Sequence, residues 1–285
     1  MKTFIFIPDT NQSAGLGHLF RCYQYSNLAG KKSNIFFLIH KKFDTKYLKY
    51  SNSQSNKINY IFYTDIRKSQ DILKNKNDGI YTILDSYNKK LHSIDFGIYS
   101  NKHLAVLDFK IKNKADYILD HTFKRKRNFY STESKNKIYT GHNYFPIFKK
   151  IYLKKRNIIL INFGTIKNKN LILKSLTFIK NLNLHLSFKI VIINKFFNEK
   201  DMSGYNIDHE VICYKFCKNI DVIYQKIFFS IGACGISLYE KCFYHIPSIS
   251  KCVAENQRFN FINFNSSNCI LDFDEIMQVD LKKNK

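Results

Sequence analysis

Two glycines, a histidine and an arginine fall within seven residues near the N-terminus, in the run Gly15-Leu16-Gly17-His18-Leu19-Phe20-Arg21. Glycines let a backbone approach a ligand closely. An imidazole in the first turn of a helix meets the positive end of the helix dipole, which favours the neutral base. Such a base accepts a proton from a hydroxyl or from water; the bland alternative is a polar residue that simply opens a helix. Arg21 is one turn further on and shares the face of His18, either to meet an anion or as a solvated helix arginine. Asp85-Ser86-Tyr87 follows another apolar run. Tyr87 suits a sugar hydroxyl or a water and Asp85 suits His18 or a ligand hydroxyl, although the same residues read equally as an Asx turn with a helix cap at Ser86. Asp108 is a weaker instance of the same arrangement.

The second half holds Ile231-Gly232-Ala233-Cys234-Gly235-Ile236-Ser237-Leu238-Tyr239-Glu240. An apolar run enters a small-residue loop, Gly232 to Gly235, and Ser237-x-x-Glu240 opens a helix. Backbone donors at a helix start suit a diphosphate, and Glu240 suits both ribose hydroxyls of a nucleotide. The same spacing is also a capping box, in which the carboxylate only satisfies a backbone N–H. Asn256-Gln257 offers amides that donate and accept at once, fitting sugar hydroxyls or phosphate oxygens. His209, Cys213 and Cys217 lie four apart, as zinc ligands on a helical face would. No fourth ligand accompanies them, and Val211, Ile212 and Tyr214 read as a buried strand, so no metal is expected.

To converge, these groups need elements that deliver them to one edge of a sheet. Short β-rich runs at Thr3–Ile7, Asn34–Ile39, Tyr60–Tyr63, Tyr81–Leu84 and Leu104–Leu107 alternate with helical spacing at His18–Leu28, Ile66–Lys74 and Lys89–Tyr99. That alternation predicts a parallel sheet covered on both faces. Residues 122–156 are polar and basic, with few apolar periods, and read as a poorly packed connection. A second alternation follows: strand Asn157–Phe163 ending at Gly164, helix Leu171–Ile179, strands Phe188–Ile193 and Glu210–Tyr214, helix Ile220–Gln225 and strand Ile227–Ile231. After His245-Ile246-Pro247 comes a last strand at Ser248, then a helix at Asn256-Gln257. The expected organisation is α/β, with two Rossmann-like domains at 1–150 and 151–285 and a ligand between them at the carboxyl ends of both sheets.

The chain has 285 residues, 45% of them hydrophobic, enough for two ordinary domains. Its 46 Lys and Arg against 22 Asp and Glu give a formal charge of +24, but the lysines are scattered and no nucleic-acid motif accompanies them. A field of that sign still attracts a diphosphate. Seven cysteines without a CxxC pair read as free thiols. The short apolar N-terminal run is no signal peptide and no run reaches membrane-span length, so a cytoplasmic monomer is expected.

In order, Asp9, Gly15-x-Gly17-His18-x-x-Arg21-Cys22, Asp85-Ser86-Tyr87, Gly141-x-x-Tyr144, Asn162-Phe163-Gly164, Ile231-Gly232-Ala233-x-Gly235, Glu240-x-Cys242, Ile246-Pro247-Ser248 and Asn256-Gln257 run through nearly the whole chain. This series resembles the UDP-2,4-diacetamido-2,4,6-trideoxy-β-L-altropyranose hydrolases of pseudaminic acid biosynthesis and the related spore-coat polysaccharide proteins. The resemblance implies a glycosyltransferase-B (GT-B) architecture. It also implies hydrolysis at the anomeric carbon of a UDP-linked amino sugar, with His18 as general base and water held near Tyr87 and Asn256. UDP would sit on Gly164, Gly232, Ala233, Gly235, Ser237, Glu240 and Gln257, without metal or cofactor. A GT-B glycosyltransferase using a UDP-sugar donor is the alternative. Departures from the family pattern are Pro8, Phe109, Thr165, Phe228, Cys234 and Ile236.

Overall fold

β1 (Thr3–Pro8) is apolar along almost its whole length because both of its faces are covered. Ile5 and Ile7 pack with Leu38, Leu84, Leu91 and Phe96 on one side. Phe6 packs with Leu19, Cys22, Tyr23 and Phe37 on the other. Alternating side chains of a buried parallel strand serve two cores at once, so the strand reads as a continuous hydrophobic run.

The computed structural model describes the chain apart from residues 1, 12–15, 31, 52–56, 67–78, 131–136, 148–153, 165, 183, 185–186, 206, 218 and 284–285, and apart from the side chains of 49–51 and 279–283. The chain divides into two compact units, Met1–Phe148 and Lys149–Lys285. In the first, β1 is joined by β2 (Asn34–His40), β3 (Ile58–Tyr63), β4 (Ile80–Asp85), β5 (Lys102–Val106), β6 (Tyr117–Asp120) and β7 (Lys137–Thr140). Their order is β3-β2-β1-β4-β5-β6-β7, with every pair parallel. The second unit contains β8 (Ile158–Asn162), β9 (Lys189–Ile193), β10 (Glu210–Tyr214), β11 (Ile227–Ala233), β12 (Ser248–Lys251) and β13 (Leu271–Asp272). Their order is β10-β9-β8-β11-β12-β13, again all parallel. Both sheets therefore reverse direction of growth once, between β1 and β4 in one unit and between β8 and β11 in the other. At such a switch point neighbouring strand-to-helix loops part and leave room for a ligand.

The first helix, Gly17–Ser26, buries Leu19, Cys22, Tyr23 and Ser26 at helical spacing against the sheet. Helix Lys169–Asn181 does the same in the second unit with Leu171, Ile172, Leu176 and Ile179 against Ile159 and Ile161 of β8. Other expectations need correction. The helix foreseen at Lys89–Tyr99 is a short one, Lys89–His92, and then a 3₁₀ turn, Phe96–Ile98, because the Asp95 carboxylate draws in the Gly97 N–H. Residues 122–156 are not merely a connection, since they contribute β7, and Tyr130 of this stretch is buried against Ala105, Leu107 and Ile118. Four-residue strands with few apolar positions escape periodicity arguments. β13 and the final helix Phe273–Lys283 also went unforeseen, and most of the helix expected at Ile66–Lys74 lies outside the described residues.

Two glycines at the second switch point are fixed for different reasons. A Cβ at Gly232 would lie 2.9 Å from the carbonyl carbon of Asn162 and collide with its oxygen. Gly164 has φ +71 with open space around it. Gly232→Ala is therefore expected to cost about 2–3 kcal/mol by forcing β8 and β11 apart, and Gly164→Ala about 1–2 kcal/mol from the left-handed backbone alone. Urea denaturation of both variants checks that ranking.

Candidate functional site

In the first unit the carboxyl ends of adjacent strands each deliver an aspartate. Asp9 follows β1, Asp85 ends β4, Asp108 follows β5 and Asp120 ends β6. Asp85 lies at the switch point with no exposure. Its Oδ1 is 2.6 Å from His18 Nδ1, its Oδ2 accepts from Arg21 Nε at 2.5 Å, and Arg21 Nη2 also donates to Oδ1. Burial alone would push this carboxyl up, but the Arg21 charge, then His18, and their hydrogen bonds outweigh it and hold Asp85 below the ordinary carboxylate range. The first helix delivers both partners, His18 from its first turn and Arg21 one turn later, so a broad face of that helix is buried.

A carboxylate oxygen only accepts, so at 2.6 Å the proton on His18 must sit on Nδ1. Arg21 Nη2, 3.3 Å from the same nitrogen, is then a second donor packed beside it, both aimed at Oδ1. The lone pair of a neutral His18 is left on Nε2, to which no described residue is hydrogen-bonded. The imidazole meets the ring of Tyr87 edge-on, centroids 4.5 Å apart. Tyr87 in turn donates its phenol proton to Asp108 Oδ2 at 2.7 Å, so toward a ligand its oxygen acts as an acceptor. Burial pushes the Asp108 carboxyl up.

Asp9 takes the Ser86 hydroxyl at 2.9 Å and the Tyr87 N–H at 3.0 Å on Oδ2. The cap expected at Ser86 is displaced by two residues: the Ser86 hydroxyl donates to Asp9 and its oxygen accepts the Asn88 N–H at 3.0 Å, while Asn88 caps helix Lys89–His92 through its own side chain. Asp120 and His121 had no place in the sequence reading. Asp120 Oδ2 accepts from Arg125 Nε and from the Tyr130 hydroxyl, each at 2.9 Å. His121, kept neutral by burial and by the Arg21 charge, accepts from Arg21 Nη1 at 3.2 Å. The available signal was the repeated pattern of an apolar run ending in aspartate, seen at Asp85 and again at Ile118-Leu119-Asp120. Arg125 is buried and also donates to the Asp108 carbonyl at 2.8 Å.

In the second unit the small-residue segment is shorter as a loop than expected. Gly232 and Ala233 belong to β11, leaving Cys234 and Gly235 to connect it to helix Ile236–Phe243. Gly235 is the N-cap and Ser237 lies inside the first turn, so the capping box does not form. Glu240 instead accepts from the Tyr224 hydroxyl at 2.9 Å. Gly164, after β8, is pinned by the Asn162 side chain, which accepts its N–H at 2.8 Å, and by Asn194, which donates to its carbonyl at 3.2 Å. Gln257 lies against Gly235, its Nε2 3.4 Å from where a Cβ would stand. Asn256 occupies the same 3₁₀ turn, Glu255–Gln257. His18, Arg21, Asp85 and Tyr87 are thus gathered in one unit, and Gly164, Gly232, Gly235 and Gln257 at the strand ends of the other, with Glu240 further along helix Ile236–Phe243 against Tyr224. Gly15 lies outside the described residues. Among the described residues no three His, Cys, Asp or Glu side chains form a group able to hold a metal ion, and Glu210–Tyr214 is a strand rather than the helix a His209–Cys213–Cys217 site would need. No described helix is long and apolar enough to cross a membrane.

Two parallel sheets with helices, each with a single switch point, define the fold of the GT-B glycosyltransferases. Phytolacca americana UGT2, solved with UDP-2-fluoro-glucose and pterostilbene, matches with TM-score 0.66 and 12% identity over 98% of this chain and 88% of that one. A UDP-glucosyltransferase from Polygonum tinctorium matches with TM-score 0.63 and 11% identity over 95% and 85%. Acinetobacter baumannii MurG matches with TM-score 0.62 and 13% identity over 99% and 90%. No family model matches the sequence, and no curated protein does.

Asp85→Asn should leave the Arg21 guanidinium, 3% exposed, without its counter-charge and cost about 3–5 kcal/mol at pH 7. Because the folded carboxyl is depressed, its contribution is full above the unfolded value near pH 4 and declines as pH falls below it. Chemical denaturation of wild type and variant at pH 7, 5 and 3 should show a gap that is constant between the first two and narrows at the third.

Proposed function

We propose that this chain transfers the sugar of a UDP-sugar to an acceptor hydroxyl, with His18 as the general base. The observation that carries the proposal is the His18–Asp85 pair: Nδ1 is committed to a buried carboxylate, and Nε2 keeps a lone pair at the switch point of a parallel sheet. Arg21 and Asp85 fix the ring, and Tyr87 bears on its edge. In the second unit Gly164, Gly232, Ala233, Gly235 and Ser237 would receive the diphosphate, with Glu240 on the ribose and Gln257 beside the loop. The start of helix Ile236–Phe243 would stabilise the departing UDP through its N–H groups and dipole. The fold shared with UDP-sugar glycosyltransferases supports this reading.

A second reading replaces the acceptor hydroxyl by water, with Asn256 and Tyr87 holding it, and makes the enzyme a hydrolase of a UDP-linked diacetamido-trideoxy sugar. The ordered motif series favours it, since His18, Arg21, Asp85, Tyr87, Glu240 and Asn256 all remain. Either reaction breaks the bond between the anomeric carbon and the diphosphate oxygen, and the base takes the proton of the incoming hydroxyl or water.

UDP release from UDP-sugars, measured with and without an acceptor, separates the two: transfer requires the acceptor and hydrolysis does not. His18→Asn should bind UDP as the wild type does and lose about 10²–10⁴-fold in turnover. Turnover retained in that variant removes His18 from the reaction, and a wild-type chain that does not bind UDP removes the nucleotide from it.

A further inference from the structure

The helix Ile236–Phe243 carries a lysine in its second turn that no neighbour explains. Lys241 is fully buried, and its Nζ has no hydrogen-bond partner among the described residues. A helical side chain leans toward the N-terminus of its helix, and here that brings Nζ back to the end of β11, 3.2 Å from where a Cβ of Gly232 would stand. Gly232 is paired in register with Ser250 of β12, which is also fully buried and lies within hydrogen-bonding reach of the Cys234 thiol. An unsatisfied ammonium thus lies at the strand ends from which Cys234 and Gly235 lead into the helix. An unpaired buried ammonium is costly, and a protein retains one where an anion balances it.

We infer that Lys241 is the counter-charge for a phosphate group bound over Cys234–Gly235 at the start of helix Ile236–Phe243. The inference rests on the nucleotide reading of the preceding subsection and adds to it a charged residue that acts from inside the unit. The low-dielectric interior screens its charge poorly, so the ammonium reinforces the helix dipole at short range without direct ligand contact. It also replaces part of the attraction that a metal ion would give a diphosphate. Burial pulls its pKa down to about 8, while Cys234 from β11 and Cys242 and Glu240 of its own helix act in the opposite direction. Cys234 is itself pushed up to about 12 by burial, so it offers no thiolate to pair with the ammonium. Phosphate binding favours the protonated lysine, and above pH 8 it must draw a proton from solution.

The test is calorimetric titration of the full chain with UDP, and separately with inorganic pyrophosphate, between pH 7 and 9 in two buffers of different ionisation enthalpy. Wild type is expected to take up a proton on binding near pH 8–9 and to lose affinity as pH rises through that range. Lys241→Met is expected to bind both probes about tenfold or more weakly at pH 7 and to lose the proton uptake. Any titration of the ligand itself is common to both proteins and cancels in the comparison. The thermal midpoint of the ligand-free variant should equal or exceed that of wild type, because an uncompensated charge has been replaced by an apolar chain of similar length. Undiminished binding by Lys241→Met, or unchanged proton uptake, overturns this inference alone. A wild type that binds neither UDP nor pyrophosphate overturns the nucleotide reading together with it.

Discussion

Asp85 ends a central strand with no exposure to solvent, and two side chains of a single helix converge on it: Arg21 with two N–H groups and His18 with one. A carboxylate taken out of water must have its lone pairs filled and its charge balanced. Satisfying that demand fixes the first helix against the strand ends, selects the tautomer of His18 and leaves Arg21 with one remaining direction, which His121 accepts. The position of the imidazole is therefore a consequence of charge balance in the core rather than of the helix start alone. Tyr87 and Asp108 extend the arrangement by one strand, and Asp120 with Arg125 and Tyr130 by another.

The second unit repeats the topology with different means. Its switch point holds glycines and amides, with Gly232 excluding any Cβ against β8 and with Asn162 and Asn194 holding the turn at Gly164. A row of aspartates gathers at the strand ends of one unit and a row of small, neutral residues at those of the other. Lys241, the one buried lysine among the described residues, belongs to the second.

The formal charge of +24 by itself positions none of these groups. The arginines that matter are buried, as Arg21 and Arg125 are, and each is paired to a particular aspartate. The exposed lysines supply a general positive field that attracts anions without positioning them.

Alternation of apolar runs with helical spacing was enough to fix the α/β class, two parallel sheets and most strand positions, because buried parallel strands carry their signal in consecutive residues. The same holds for the turn-to-helix segments bearing His18, Asp85 and Gly232, whose local order alone marks a strand end. Strands β6 and β7 escaped because four residues hold too few periods, and the capping box at Ser237 failed because Gly235 took the N-cap position first. The partner of each side chain was decided only in three dimensions: His18 and Asp85 are 67 residues apart, Arg21 and His121 100 apart. Strand order sets those pairings, and strand order depends on which hydrophobic faces pack together, a property of the whole folded sheet that no local run of residues contains.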